Sequence, residues 1–142
     1  MARYKPGTKE ETHKRIVDEA SRQFRAKGIE ATSIADVMGA LDLTVGGFYK
    51  HFSSKAALLN EAMGGALAQS ARRLSRATPA EGETDRRAAL ARMYLTQEHR
   101  MNIASGCPIA ALGNDISRAD DATRKGFEEQ LLAYMDTVAD GD

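Results

Sequence analysis

Residues 32–55, TSIADVMGALDLTVGGFYKHFSSK, constrain the fold more than any other part of this chain. Ile34, Val37, Met38 and Leu41 recur at the i, i+3, i+4, i+7 spacing of one buried helical stripe. Ser33 with Asp36 forms a capping-box start, and Thr32 is a second candidate cap. Asp42 and Leu43 break the period. Thr44 then caps a second short helix whose inward residues are Phe48 and Phe52, and Ser54 caps a third that starts at Lys55. The stretch therefore predicts two short helices joined by a tight turn and followed at once by another. Asp42 tolerates the left-handed conformation such a turn needs.

The rest of the chain predicts helices around this unit, and an all-α fold. No strand-like run of β-branched residues is present, and proline is limited to 3 in 142 residues. A first helix over residues 8–27 carries Glu10 and Glu11 in its opening turn and Lys27 in its last, with Gly28 as left-handed cap. Its inward face is Ile16, Val17, Ala20 and Phe24, which would pack on the helix pair. A fourth helix over residues 55–76 carries Leu59, Met63, Ala66, Ser70 and Leu74 on one face, with a bend expected at Gly64-Gly65. The stretch TPAEGET, residues 78–84, reads as a linker. One helix over 85–99 with Leu90, Met93, Tyr94 and Gln97 on one side is expected next, then a loop over 101–106. Pro108 at a first helical position makes Cys107 the cap of a helix over 109–116. A last helix over 122–138 turns Phe127, Leu131, Tyr134, Met135 and Val138 inward.

Charge narrows the class of function. The net formal charge is zero, but residues 1–76 hold 13 Lys/Arg against 8 Asp/Glu and the remainder 7 against 12. A basic half joined to an acidic half fits a nucleic-acid-binding unit followed by a part that does not bind nucleic acid. No apolar run approaches the roughly 20 residues that span a bilayer, so no membrane partner is expected. The N-terminus lacks the apolar segment of a signal peptide. One cysteine excludes an intramolecular disulfide and a Cys-rich metal site, so a reducing cytoplasm is the expected location. A basic arm with Arg3 and Lys5 precedes the first helix.

The second short helix shows Thr44, Val45, Gly46, Gly47, Tyr49, Lys50 and His51 on its other side. Small residues at its start, then an aromatic and a cation, suit the DNA major groove. Val45, Gly46 and Gly47 offer no polar side chain for bidentate base pairing, so reading leans on Val45 against a thymine methyl, close backbone approach at the glycines, Lys50 and Tyr49. Thr32-Ser33, Thr44, Gly46, Phe48-Tyr49, His51-Phe52, Lys55 and Leu58-Leu59 stand where they do in the DNA-binding domain of TetR-family transcriptional regulators, which this stretch closely resembles. The resemblance implies phosphate contacts from Thr32, Ser33, Tyr49 and Lys55, with Lys50 and His51 as phosphate or base-edge candidates. Asp42 replaces a glycine often found at the turn.

Gly106-Cys107-Pro108-Ile109-Ala110-Ala111-Leu112 fits a TetR subfamily in which TVGGFYKHF is followed by a GCP-hydrophobic-AAL helix. Residues 1–59 are thus expected to bind DNA, and 60–142 to form an effector and dimerisation region. The resemblance implies repression at a palindromic operator by a homodimer, relieved by a small apolar effector, with no cofactor. Candidate effector contacts are Met93, Tyr94, Met101, Ile103, Cys107, Leu112, Phe127 and Leu131. The family's two further long pairing helices have no counterpart in these 142 residues, so the alternative expectation is a truncated helical module that pairs with a full-length relative. Cys107 is either a small buried cap residue or a thiol activated by the helix N-terminus. An enzyme reading rests on Cys107 with His99 as nucleophile and base; no orienting group, phosphate loop or metal cluster accompanies them, and catalysis is not expected.

Overall fold

The computed structural model describes residues 8–140, and all regular structure among them is helical. The basic arm with Arg3 and Lys5 lies outside the described residues. Helix α1 (Thr8–Lys27) buries Thr12, Ile16, Ala20, Gln23 and Phe24, while Val17 is half-buried. Gly28 terminates it at φ 94°, its N–H donating to the Phe24 carbonyl over 2.8 Å. Helix α2 (Ile34–Ala40) opens on the expected capping box: Ser33 Oγ accepts from Asp36 N and Asp36 Oδ2 accepts from Ser33 N, both at 3.0 Å. Asp42 then takes φ 57°, and Leu43 N returns to the Met38 carbonyl over 2.9 Å, closing the turn. Thr44 Oγ1 accepts from Gly47 N at 3.2 Å and starts α3 (Val45–Phe48). Ser54 caps α4 (Lys55–Ser75) through Ala57 N.

These elements meet around one buried cluster. Ile16, Ala20 and Phe24 of α1 pack with Val37 and Met38 of α2, with Phe48 and Phe52, and with Leu58, Leu59, Ala62 and Met63 of α4. The Phe48 and Phe52 rings stack with centroids 5.4 Å apart, and His13 stacks on Phe52 at 4.4 Å. A four-residue helix has no stability of its own; α3 is held by the complete burial of Phe48. The cluster continues past residue 60, because Leu112 and Ile116 of a later helix belong to it.

Beyond α4 the chain forms α5 (Arg86–Tyr94), α6 (Gln97–Met101), a 3-10 turn Ile103–Ser105, α7 (Pro108–Ser117) and α8 (Asp121–Asp140). Helix α8 lies along α4 and is its main partner. Three expectations change here. The single helix over 85–99 is two helices, because Leu95 leaves the helical region at ψ 51° and Thr96 Oγ1 accepts from His99 N at 3.0 Å, restarting the helix with a new cap. Helix α4 runs unbroken through Gly64-Gly65. Its glycine instead makes room for α8: a Cβ on Gly64 would stand 3.0 Å from Gln130 Nε2, and one on Gly126 2.7 Å from Asn60 Oδ1. Gln130 Nε2 donates to the Asn60 carbonyl at 2.9 Å across this close crossing. Finally, Met135 points outward at 55% exposure, one position off the inward stripe; Phe127, Leu131, Tyr134 and Val138 are half-buried.

Arg86 ties the far end together. Its Nη1 donates to the Val138 and Ala139 carbonyls at 2.7 and 3.2 Å, and its Nη2 to the Ser75 carbonyl at 3.4 Å. One cation thereby satisfies carbonyls at the negative ends of both α8 and α4. The linker is ordered by a double hydrogen bond from Arg92 to Glu83, at 2.7 and 2.6 Å.

Two measurements check these local arguments. Asp42→Gly removes the side-chain cost of the left-handed turn and is expected to raise unfolding stability by about 1 kcal/mol in urea titration, whereas Asp42→Val lowers it. The Arg92 hydrogen bond pulls Glu83 down to about 2 from its ordinary 4.5. A lowered carboxylate favours the folded state above its unfolded value, and that contribution fades as pH falls from about 4.5 toward about 2. Carboxyl NMR titration should find Glu83 returned toward its ordinary value in Arg92→Met.

Candidate nucleic-acid interface

Helices α2 and α3 present one face to solvent, and it collects most of the residues singled out in the sequence. Val45 is 46% and Tyr49 62% exposed, and Ser33, Thr44, Gly46 and Lys50 are exposed with them. Gly47, His51 and Lys55 are half-buried beside them. Tyr49 stands edge-on to the buried Phe48 ring at 5.2 Å, so its ring is braced while its hydroxyl reaches solvent. Ser33 and Thr44 spend only oxygen lone pairs on their caps, accepting from Asp36 N and Gly47 N. Their hydroxyl protons remain available to a phosphate oxygen.

Thr32 differs from expectation. It is fully buried, and its Oγ1 donates to the Gly28 carbonyl at 2.9 Å. Its proton is consumed holding the end of α1 to the start of α2, so Thr32 is a structural link and not a surface donor. The two glycines also separate. A Cβ on Gly46 meets nothing within 4 Å, whereas one on Gly47 would lie 3.4 Å from Thr44 Oγ1 and 3.8 Å from the Met38 methyl. Gly46 is therefore the position where a side chain would project outward without disturbing the fold. His51 is held below its ordinary value first by burial, then by His13, Lys9 and Lys50, so neutral imidazole is favoured near pH 7.

The expected effector residues do not all converge. A cavity of about 660 Å³ between α5, α6 and α7 is lined by Tyr94, Ile103 and Cys107, together with His99, Gly106 and Ala110. Met93 instead borders a smaller neighbouring space of about 250 Å³. Met101 is 69% exposed, Leu112 belongs to the buried core at 1%, and Phe127 packs against that core. Leu131 is half-buried on α8 and does not line the cavity. Leu112 lies inside because α7 turns its Leu112-Ile116 stripe toward α1.

Cys107 is buried, and its side chain makes no cap hydrogen bond to α7. Hydrogen bonding to the Cys107 side chain, then burial, pushes the Tyr94 hydroxyl up to about 12. His99 packs on the Tyr94 ring at 4.3 Å and places Nδ1 3.3 Å from Arg73.

Two contacts that periodicity could not reveal join this region to α1 and the loop that follows it. Arg25 Nη1 donates to the Gly106 carbonyl at 2.8 Å, and Ile29 N donates to Asp115 Oδ2 at 3.0 Å. Gly106 is required where it stands, since a Cβ there would lie 2.9 Å from the Asn102 carbonyl oxygen, a backbone atom. Gly106→Ala is expected to lower stability by about 1–3 kcal/mol in thermal or urea unfolding, as a forced overpacking. An unchanged midpoint would contradict the tight turn.

Comparison with known proteins agrees with this geometry. Residues 16–62 match the family model of bacterial regulatory proteins of the tetR family. Over 76 residues, 54% of this chain, the sequence is 34% identical to the HTH-type transcriptional regulator TtgR of Pseudomonas putida, covering 36% of that protein. The same identity and coverage hold for the probable HTH-type transcriptional regulator ArpR, also of Pseudomonas putida. The HTH-type transcriptional regulator AcrR of Shigella flexneri is 36% identical over 61 residues, 43% of this chain and 28% of that one. The matched part thus spans about a third of the length of these regulators. The capped helix pair and the first turns of α4 fall within the matched region: residues 16–62 match the N-terminal helix-turn-helix domain of that family, and further helices follow.

Proposed function

We propose that the chain is a DNA-binding transcriptional regulator that represses by occupying a palindromic operator. The observation that carries this reading is the two-sidedness of α3 and the turn after it. Phe48 and Phe52 lock it from behind, while Val45, Gly46, Tyr49 and Lys50 face solvent together. Inserted in a major groove, Val45 would meet a thymine methyl and Gly46 would let the backbone approach the base edges, while Tyr49, Ser33, Thr44 and Lys55 engage phosphates. His51 and Gly47 border the same surface, and Thr32 acts only by holding α2 in place.

The 60–142 region is then the effector and pairing part, of the kind in which a GCP helix follows the DNA-binding unit. The cavity lined by Tyr94, Ile103 and Cys107 suits a small, largely apolar effector. The Arg25–Gly106 and Ile29–Asp115 contacts would carry its occupancy to α1 and the reading helix. A regulator of this kind works in the cytoplasm and as a homodimer, since two reading helices about 34 Å apart match successive major grooves. The outward Leu132 and Met135 of α8, 56% and 55% exposed, favour pairing through that face.

The test selects binding sites from random duplexes and measures affinity by fluorescence anisotropy. A palindromic consensus is expected, with a log–log salt slope of about −0.9 per phosphate neutralised. Gly46→Gln should lower affinity at least roughly tenfold, the scale of one lost base-step fit, with an unchanged melting curve. Lys55→Ala should make the salt slope shallower by about 0.9. Absence of any selected consensus, with solution mass by light scattering giving a monomer, would instead favour the helical module that pairs with a longer relative.

A further inference from the structure

A second cleft lies within the helix-turn-helix unit itself. It has a volume of about 460 Å³ and opens between the start of α1 and the turn-α3 segment. This is inside the range of small-molecule sites, roughly 300–1,000 Å³. Its chemistry is two-sided. Met38, 1% exposed, and the half-buried Leu43 supply an apolar floor, with the nearly buried Thr12 beside them. Lys9 and Lys50 are exposed and His51 is half-buried at its edge.

Among the described residues, Lys9 and Lys50 bring positive charge to His51. His13 is engaged elsewhere, its Nε2 2.7 Å from Glu61 Oε1. His51 Nδ1 is buried and lacks a hydrogen-bond partner among the described residues. Two exposed lysines over an apolar floor, with no carboxylate among the residues that line the cleft, favour an anion with an apolar body. We propose that this cleft binds a small amphiphilic anion, a carboxylate on an apolar body, with the carboxylate between Lys9, Lys50 and His51 and the body against Met38 and Leu43.

The cleft shares Thr44, Gly47, Lys50 and His51 with the proposed DNA-reading surface. An occupant would exclude DNA directly, with no motion relayed from the cavity at α5–α7. That consequence rests on the proposed DNA binding; occupancy of the cleft does not, and it is measured without DNA.

The experiment titrates the full 142-residue chain with sodium octanoate, following Met38 methyl, His51 ring and Tyr94 ring resonances by NMR. Octanol, with the same apolar body and no charge, is the control. Saturable shifts at Met38 and His51 are expected, and octanol should bind much more weakly. Lys9→Ala, an exposed site outside the proposed DNA contacts, should raise the octanoate midpoint about fivefold, the loss of one partly screened ion contact. Ala110→Trp, which fills the other cavity, should leave that midpoint unchanged. The proposal is overturned if no saturable shift occurs at Met38, if octanol matches octanoate, if Lys9→Ala has no effect, or if the shifts are confined to Tyr94 and vanish in Ala110→Trp.

Discussion

The burial of Phe48 against α1 and α2 is the interaction on which the rest depends. Helix α3 has a single turn, Val45–Phe48, and Gly46 and Gly47 within it give little helical preference. Nothing local would keep that turn in place. It persists because Phe48 is wholly enclosed, Phe52 stacks on it, and Thr44 and Ser54 close the caps on either side. A side chain with no exposure thereby decides where Tyr49 and Lys50 point. Losing a buried phenylalanine costs about 3–5 kcal/mol, a large share of the roughly 5–15 kcal/mol typical of a small domain. Stability and the presentation of the outer face of α3 are thus one property, not two.

Helix α4 carries that arrangement outward. Its first turns bury Leu58, Leu59, Ala62 and Met63 beneath the helix pair, and its later turns bury Ala66, Leu67, Ala71 and Leu74. One continuous helix thus serves the helix pair at its start and α8 along its length. The small residues that admit α8 also make the crossing polar, since Gln130 reaches the Asn60 carbonyl. A close approach of this kind fixes the register of the two helices more tightly than sliding aliphatic contacts would.

What is legible in the sequence is local. Ser33 with Asp36, Thr44, Ser54, Gly28 and Asp42 each act within a few residues of themselves, and their caps and turns are where the spacing places them. The same holds for Phe48 and Phe52 in the core. Legibility fails where one residue admits two local roles, or where a nonlocal contact decides between them. Thr96 reads as part of a continuing helix, because a threonine at an exposed helical position and one that restarts a helix look alike in one dimension. Gly64 reads as a bend because only the three-dimensional approach of Gln130 reveals what the missing side chain makes room for. Thr32 reads as a surface donor because its acceptor, the Gly28 carbonyl, is a main-chain atom that no side-chain pattern advertises. Among the effector candidates, Tyr94, Ile103 and Cys107 meet at a cavity while Leu112 is drawn into the core. Apolar character alone does not separate lining from filling.

The membership of Leu112 and Ile116 in the cluster that holds α3 has a kinetic meaning. With Asp115 gripping Ile29 N and Arg25 gripping the Gly106 carbonyl, α7 closes over the end of α1 from outside the helix pair. Segments that share one core and such bridging bonds open together, as a single cooperative unit. The helix pair then has no low-energy route to unfold alone while α7 stays in place. Slow amide exchange in α2 and in α7 would share one opening event, so damage to the outer helices is felt by α3 as lost time in its folded form.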